Sequence, residues 1–161
     1  STPGQGPGRK DAERIPGGSE TILLVEDDAA VRQVTRSMLE EFGYVVLEAA
    51  DGIAALDIFR RDRERIALVL CDLIMPKRNG RETLAAIHEL QADVKAIFMS
   101  GYTADIISKQ GLLDPGFDLL HKPISPAELL SRVRRALSRS SIRPPAIAIA
   151  SRRFTCEAGK T

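Results

Sequence analysis

Cysteine occurs only twice in the 161 residues, at Cys71 and Cys156. One lies inside an apolar run and the other near the C-terminus, and the two lack the spacing of a metal-ligand set. Neither a zinc site nor a disulfide framework is therefore expected. No apolar run approaches the ~20 residues of a membrane span, and the first residues lack the apolar stretch of a secretory leader. The expectation is a soluble, cytoplasmic protein that makes no membrane contact. A charge excess of one sign is missing too: 28% of the residues are charged, yet the balance is only +1. No overall field argues for nucleic acid as a partner. No internal repeat is apparent, and the length suits one domain better than two. The chain opens on Ser rather than Met, as a fragment of a longer protein would.

What is present is a series of short apolar runs that each end on chemistry-bearing residues. Leu68-Val69-Leu70-Cys71 runs into Asp72 and then into a loop with Pro76 and Gly80. A run with no polar alternation reads as a strand buried on both faces, which a parallel sheet demands. Thr21-Ile22-Leu23-Leu24-Val25 ends on Glu26-Asp27-Asp28, Ala96-Ile97-Phe98-Met99 on Ser100-Gly101, and Phe117 to His121 on Lys122-Pro123. Taken alone, Asp72 is equally a turn residue, Asp27 a helix cap, Ser100 a strand end and Lys122 a surface charge. If the strands are parallel, however, all these ends meet on one edge of one sheet, where ligands of open α/β sheets bind. Acids, a hydroxyl and an amine in one pocket suit a divalent hard cation and a phosphoryl group.

Between the runs the period changes to that of helices. After Asp28, residues Val31, Val34, Met38, Leu39 and Phe42 form a stripe of helical spacing, closed by Gly43. Tyr44 to Glu48 reads as a second strand, and Asp51-Gly52 opens a helix with Leu56 and Phe59 on one face. Leu84, Ile87 and Leu90 mark a third helix, and a short one is expected around 104–110. Ser125-Pro126-Ala127-Glu128 is a helix start, with Ser as cap, Pro at the first position and Glu three after the Ser. Leu129, Leu130, Val133 and Leu137 face inward from the helix that follows. The pattern is βα repeated five times over residues 20–139, an α/β domain with a parallel sheet covered on both faces. Residues 1–19, rich in Gly and Pro, read as a flexible linker. Gly4 to Lys10 fails as a phosphate loop, because Gly8 is followed by Arg9 and no strand precedes it. Residues 140–161 read as a disordered or loosely docked tail, the alternation Ile147-Ala148-Ile149-Ala150 being too short for a strand.

The acid pair after the first strand, Asp-Leu-x-Met-Pro-x-x-x-Gly after the third, Ser-Gly after the fourth and Lys-Pro after the fifth resemble the receiver domain of two-component response regulators. The resemblance covers nearly all of 20–139, with every motif in order. It implies a flavodoxin-like (βα)5 fold with strand order 2-1-3-4-5, and a role as phosphoacceptor that takes a phosphoryl group from a histidine kinase or a histidine phosphotransfer protein. By the same resemblance Asp72 is the phosphorylated residue and Asp27 a direct ligand of Mg2+ (or Mn2+). Glu26 is the second acid of the metal site, and the Ile74 backbone carbonyl a further ligand. Ser100 and Lys122 bind the phosphoryl group, and the peptide before Pro123 is cis. Ile74 and Tyr102 flank the path of the hydrolytic water, where neither activates water well, so slow autodephosphorylation is expected. Many receivers carry Tyr or Phe where this chain has Leu119; Phe117 reaches the same face only if the strand starts that early.

The Gly/Pro-rich leader followed by Ser19-Glu20-Thr21 resembles the linker ahead of the receiver in hybrid sensor histidine kinases, which implies such a parent rather than a stand-alone regulator. The module itself is expected to act as a monomer whose only catalysis is its own phosphotransfer and autodephosphorylation. An aspartate-nucleophile phosphohydrolase of the haloacid dehalogenase type wants a second Asp where Ile74 stands. A pseudo-receiver disagrees with the intact site residues. A DNA-binding domain does not fit in the residues after Arg139. His88-Glu89-Leu90 echoes the phosphoacceptor box of histidine kinases but lacks the Pro that follows it, so His88 is expected to be a solvent-facing helix residue. His121, beside Lys122, is placed to tune the pocket or to have no role.

Overall fold

The computed structural model describes residues 17–75, 79–102, 104–109 and 117–138. Among them are five strands, β1 (Thr21–Val25), β2 (Val45–Ala49), β3 (Ile66–Asp72), β4 (Lys95–Ser100) and β5 (Asp118–His121). They alternate with five helices, α1 (Ala29–Glu41), α2 (Gly52–Asp62), α3 (Gly80–Leu90), α4 (Ala104–Lys109) and α5 (Pro126–Ser138). All strand pairs are parallel, in the order β2-β1-β3-β4-β5. Residues 1–16 and 139–161, which carry most of the expected linker and the tail, lie outside the described residues.

β3 shows why the sheet is covered on both sides. Leu68 and Leu70 pack with Ile22, Leu24 and Ile97 against Leu39 of α1 and Leu129, Leu130 and Val133 of α5. Val69 and Cys71 point the other way, with Leu23, Val25 and Phe98, against Phe59 of α2, Leu84 and Ile87 of α3 and Ile107 of α4. Each fully buried leucine or valine is worth on the order of 2 kcal/mol, and shifting β3 by one residue would turn every side chain into the opposite layer, where the facing helices are packed around other shapes and the Asp72 carboxyl group would take an apolar position. The register is thereby fixed. The start signals hold as well. Asp28 accepts from the Ala30 and Val31 amides, Asp51 from Ala54, and the Ser125 hydroxyl from Glu128, while Asn79, a cap the sequence reading did not single out, accepts from Glu82. Gly43, at φ 102°, makes the turn into β2 that a Cβ would strain.

Three sequence expectations are corrected. Val34 does not belong to the buried stripe of α1: it is 54% exposed, and Thr35 takes the inward position beside Leu39. Thr35 can be buried because its hydroxyl donates to the Val31 carbonyl (2.8 Å), which leaves no unpaired polar atom. His88 is not solvent-facing. It is half-buried, its Nε2 lies 3.1 Å from the Val94 carbonyl, and burial lowers its pKa. The second strand also starts one residue later than its apolar run suggests, at Val45, although Tyr44 is buried.

Candidate functional site

Register brings the strand ends together. Val25 pairs with Cys71, so Glu26, the next residue, comes level with Asp72, and Asp72 in turn pairs with Met99 beside Ser100, which pairs with His121. Asp72 ends a strand whose apolar residues fill both core layers, so its carboxyl group is drawn in with them and is only 5% exposed. Glu26 is 1% exposed, whereas Asp27 is exposed. One carboxylate oxygen from each of the three acids lies within 4.8 Å of the others. Such all-oxygen crowding is a poor arrangement for bare protein and a good one for a small hard cation.

A cation of the chain partly offsets that crowding. The Lys122 ammonium reaches Glu26 Oε1 at 2.7 Å and Asp72 Oδ2 at 3.4 Å. Burial would lower the Lys122 pKa, but the Glu26 hydrogen bond and the Asp72 charge outweigh it and leave the group raised. Asp72 is the acid that bears the conflict. Burial and then the Glu26 charge push its carboxyl up to about 7, against the opposing pull of Lys122 and of a hydrogen bond from the Ile74 backbone. Glu26 is held further: its Oε2 accepts from the Asp28 amide (3.1 Å), and its own amide donates to the Ala49 carbonyl (3.0 Å). The neighbouring Cys71 is a free, fully buried thiol whose pKa burial raises, which makes it an inert core residue.

The loops hold the rest. After Asp72, Leu73 and Met75 turn into the core and Ile74 turns out. The Gly80 amide closes the loop onto the Leu73 carbonyl (2.8 Å), and a Cβ on Gly80 would meet the Asp72 carbonyl oxygen at 2.3 Å. Glycine there lets α3 start directly against the backbone of the strand end. Ser100 is fully buried, and its Oγ accepts from the Tyr102 amide (2.9 Å). His121 donates from Nδ1 to the Tyr102 carbonyl (3.2 Å), so it braces the loop that carries Tyr102 rather than the pocket itself. Tyr102 and Ile74 are both exposed. The Lys122–Pro123 peptide is cis. Leu119 is half-buried against the same core layer as Phe117, whose ring meets that of Phe98 edge-on (centroids 5.6 Å, 74°). Phe117 precedes β5 by one residue and still faces the Leu119 side.

Two residues near the acids escaped the sequence reading. Arg32, one turn into α1, donates from Nη1 to the Glu26 carbonyl (2.7 Å) and from Nε to Glu48 Oε1 (3.0 Å). Glu48 also pairs with Arg36. The available signal was an acid at the penultimate position of β2 and arginines on the facing side of α1, which becomes legible only once β2 is known to lie beside β1.

Comparison with known proteins gives concordant results. The family model described as response regulator receiver domain matches residues 22–134. The chain is 37% identical over 122 residues to the sensor kinase CckA of Brucella abortus (strain 2308), covering 76% of this chain and 13% of that protein. It is 35% identical over 119 residues to the transcriptional regulatory protein CpxR of Escherichia coli (strain K12), covering 74% and 50%. The crystal structure of the receiver domain from the hybrid histidine kinase CckA superposes with a TM-score of 0.63 at 36% identity, over 73% of this chain and 99% of that one. The chain thus spans half or less of these two curated relatives.

Proposed function

Because the chain belongs to the response regulator receiver domain family of two-component systems, we propose that it accepts a phosphoryl group on Asp72 from the phosphohistidine of a histidine kinase or a histidine phosphotransfer protein. The observation that carries this reading is the meeting of Glu26, Asp27 and Asp72 with Lys122 at the carboxyl edge of the sheet. A carboxylate oxygen of Asp72 attacks phosphorus while the bond from phosphorus to the donor imidazole breaks, and the electron pair of that bond leaves with the imidazole. The product is an aspartyl phosphate. Asp72 is a usable nucleophile once ionised, but an anion must here approach an anion. The three carboxylates would hold Mg2+ (or Mn2+) together with the Ile74 carbonyl, and that ion supplies the charge that lets the anions meet. Lys122, already beside Asp72, exchanges part of its pairing for a phosphoryl oxygen. The Ser100 hydroxyl uses its lone pairs for the Tyr102 amide and has its hydrogen for the phosphoryl group.

The donor's docking surface adjoins this site. Ala30, Val31, Val34 and Met38 of α1 and Pro123 and Ile124 of the following loop line an open groove of about 480 Å³ with Lys122 at its edge. An exposed apolar patch beside a reacting carboxylate suits the protein that must bring its histidine there. The parent is read as a hybrid sensor histidine kinase, supported by the likeness to CckA and to its receiver; the match to CpxR favours the second reading, a stand-alone regulator. A full-length protein without a kinase core would overturn the first.

Phosphotransfer from autophosphorylated histidine kinases, followed with radiolabelled phosphate, tests the site. Label is expected only with Mg2+ present, is released by hydroxylamine as an acyl phosphate is, and is absent from Asp72→Asn. Undiminished label on Asp72→Asn would overturn the assignment. The same label is expected to decay slowly, because Ile74 and Tyr102 exclude water without activating it, and faster in Ile74→Asn. Equal decay in the two proteins would remove the shielding role.

A further inference from the structure

We propose that Arg32 is a positioning residue for the cation site: by holding the Glu26 carbonyl and anchoring itself on Glu48, it sets the direction in which Asp27 presents its carboxylate. The inference rests on the reading of Glu26, Asp27 and Asp72 as a divalent-cation site, and it concerns a residue that reaches none of those carboxylates through any of the hydrogen bonds described.

One peptide joins the two acids. The Glu26 carbonyl and the Asp27 amide belong to one planar unit, so holding the oxygen fixes one of the two peptide planes that flank the Asp27 Cα; the other is held by the Asp28 amide on Glu26 Oε2 (3.1 Å), and the two planes together set where the Cα–Cβ bond of Asp27 points. Asp27 is exposed, and no core packing supplies that direction. Arg32 Nη1 holds the oxygen at 2.7 Å. The guanidinium is itself held, since its Nε donates to Glu48 Oε1 at 3.0 Å and the Arg32 side chain is only 19% exposed. Glu48 is tied further by Arg36, which also pairs with Glu40 at 2.8 Å. The Glu26 amide donates to the Ala49 carbonyl (3.0 Å), so both faces of this turn are fastened to the end of β2. A guanidinium suits the task because it offers N–H groups at fixed angles to two acceptors at once, whereas an ammonium is a point charge on a flexible stem.

A second effect of Arg32 has the opposite sign, and this makes the proposal decidable. Its positive charge lies close to the acids and opposes cation binding through space. If charge were its whole contribution, Arg32→Met would bind Mg2+ more tightly and Arg32→Lys would bind as wild type does. If its contribution is position, both variants bind more weakly.

The experiment is a Mg2+ titration of the wild-type chain, Arg32→Met and Arg32→Lys by calorimetry, with thermal melts in chelator recording that each is folded. The expected result is a loss of about tenfold in Mg2+ affinity for both variants, the lower end of what the partners of metal ligands are worth. Wild-type affinity in Arg32→Lys, or unchanged or tighter binding in Arg32→Met, overturns the proposal. If Arg32→Met fails to fold, Arg32→Lys decides alone, because it keeps the charge and changes only the geometry. Failure of the underlying reading looks different: the wild-type chain would then bind no Mg2+, or Asp27→Ala would bind it as well as wild type.

Discussion

At Asp72 burial and charge act against ionisation, and pH exposes the conflict. Its folded-state pKa, about 7, lies above its ordinary value of 3.8. Between those values the native state keeps a proton that the unfolded chain has released, so stability is greatest below the lower value and is lost as pH rises through the upper one. Lys122 does not blur this window, because its raised pKa gives a contribution that is lost only on deprotonation well above neutrality. In chelator the melting temperature of the wild-type chain should therefore fall between about pH 4 and about pH 7 and level off above. Asp72→Asn, which cannot ionise, should lack this fall, keep only the rise that the lowered pKa of His88 brings on the acid side of neutrality, and melt higher at the alkaline end of the range. Parallel profiles for the two proteins would place the conflict elsewhere. The meeting of the acids on one sheet edge was legible in the sequence, but not which of them bears the conflict. That depends on burial and partners: Asp27 is exposed and Glu26 has Lys122 at 2.7 Å, which leaves the buried Asp72 to carry it.

At the scale of elements, the question is how far a change at Ser100 spreads. Ser100, the Tyr102 amide and the His121 bond to the Tyr102 carbonyl link the end of β4 to the end of β5. Beyond that link β5 is held. Arg132 of α5 donates to the Leu119 carbonyl (2.9 Å), and Leu119 and Phe117 pack into the core layer with Phe98. A leucine moves less volume between two rotamers than a ring and exchanges no hydroxyl between surface and core. Its contacts thus differ little between states, and an equilibrium shifts only by such a difference. Amide chemical shifts on adding beryllofluoride and Mg2+ should change over Ser100 to Lys109 and little over β5 and α5. Large changes along α5 would show that Phe117 or the backbone does the work of the missing ring.

For the whole molecule, the proposed docking of the donor on the α1 groove predicts that recognition can be separated from chemistry. Val34 is 54% exposed, lies on the groove and belongs to neither core cluster. Val34→Glu should leave the fold and the reaction with a small acyl phosphate intact while lowering phosphotransfer from the protein donor about tenfold or more, as loss of an apolar anchor worth ~1–2 kcal/mol or a buried unpaired charge would. Equal losses with both donors would mean that the substitution disturbs the site and that the groove is not where the donor sits.

The sequence by itself determined the alternation of strands and helices, the two-sided burial of β3, most helix starts and the identity of the residues at the strand ends. Each of these follows from local chemistry: the period of apolar residues, a capping side chain, a proline or glycine that ends an element. The strand order came from family resemblance rather than from periodicity, since parallel strands of equal burial do not declare their neighbours. Tertiary structure alone decided what depends on which elements lie side by side. The pairing of Val25 with Cys71 sets Glu26 level with Asp72. On α1, Thr35 rather than Val34 takes the inward position. Arg32 finds Glu48 only because β2 lies beside β1. These contacts join residues far apart in the chain, and a side chain's direction and its share of water are properties of the assembled neighbours, which no local pattern encodes.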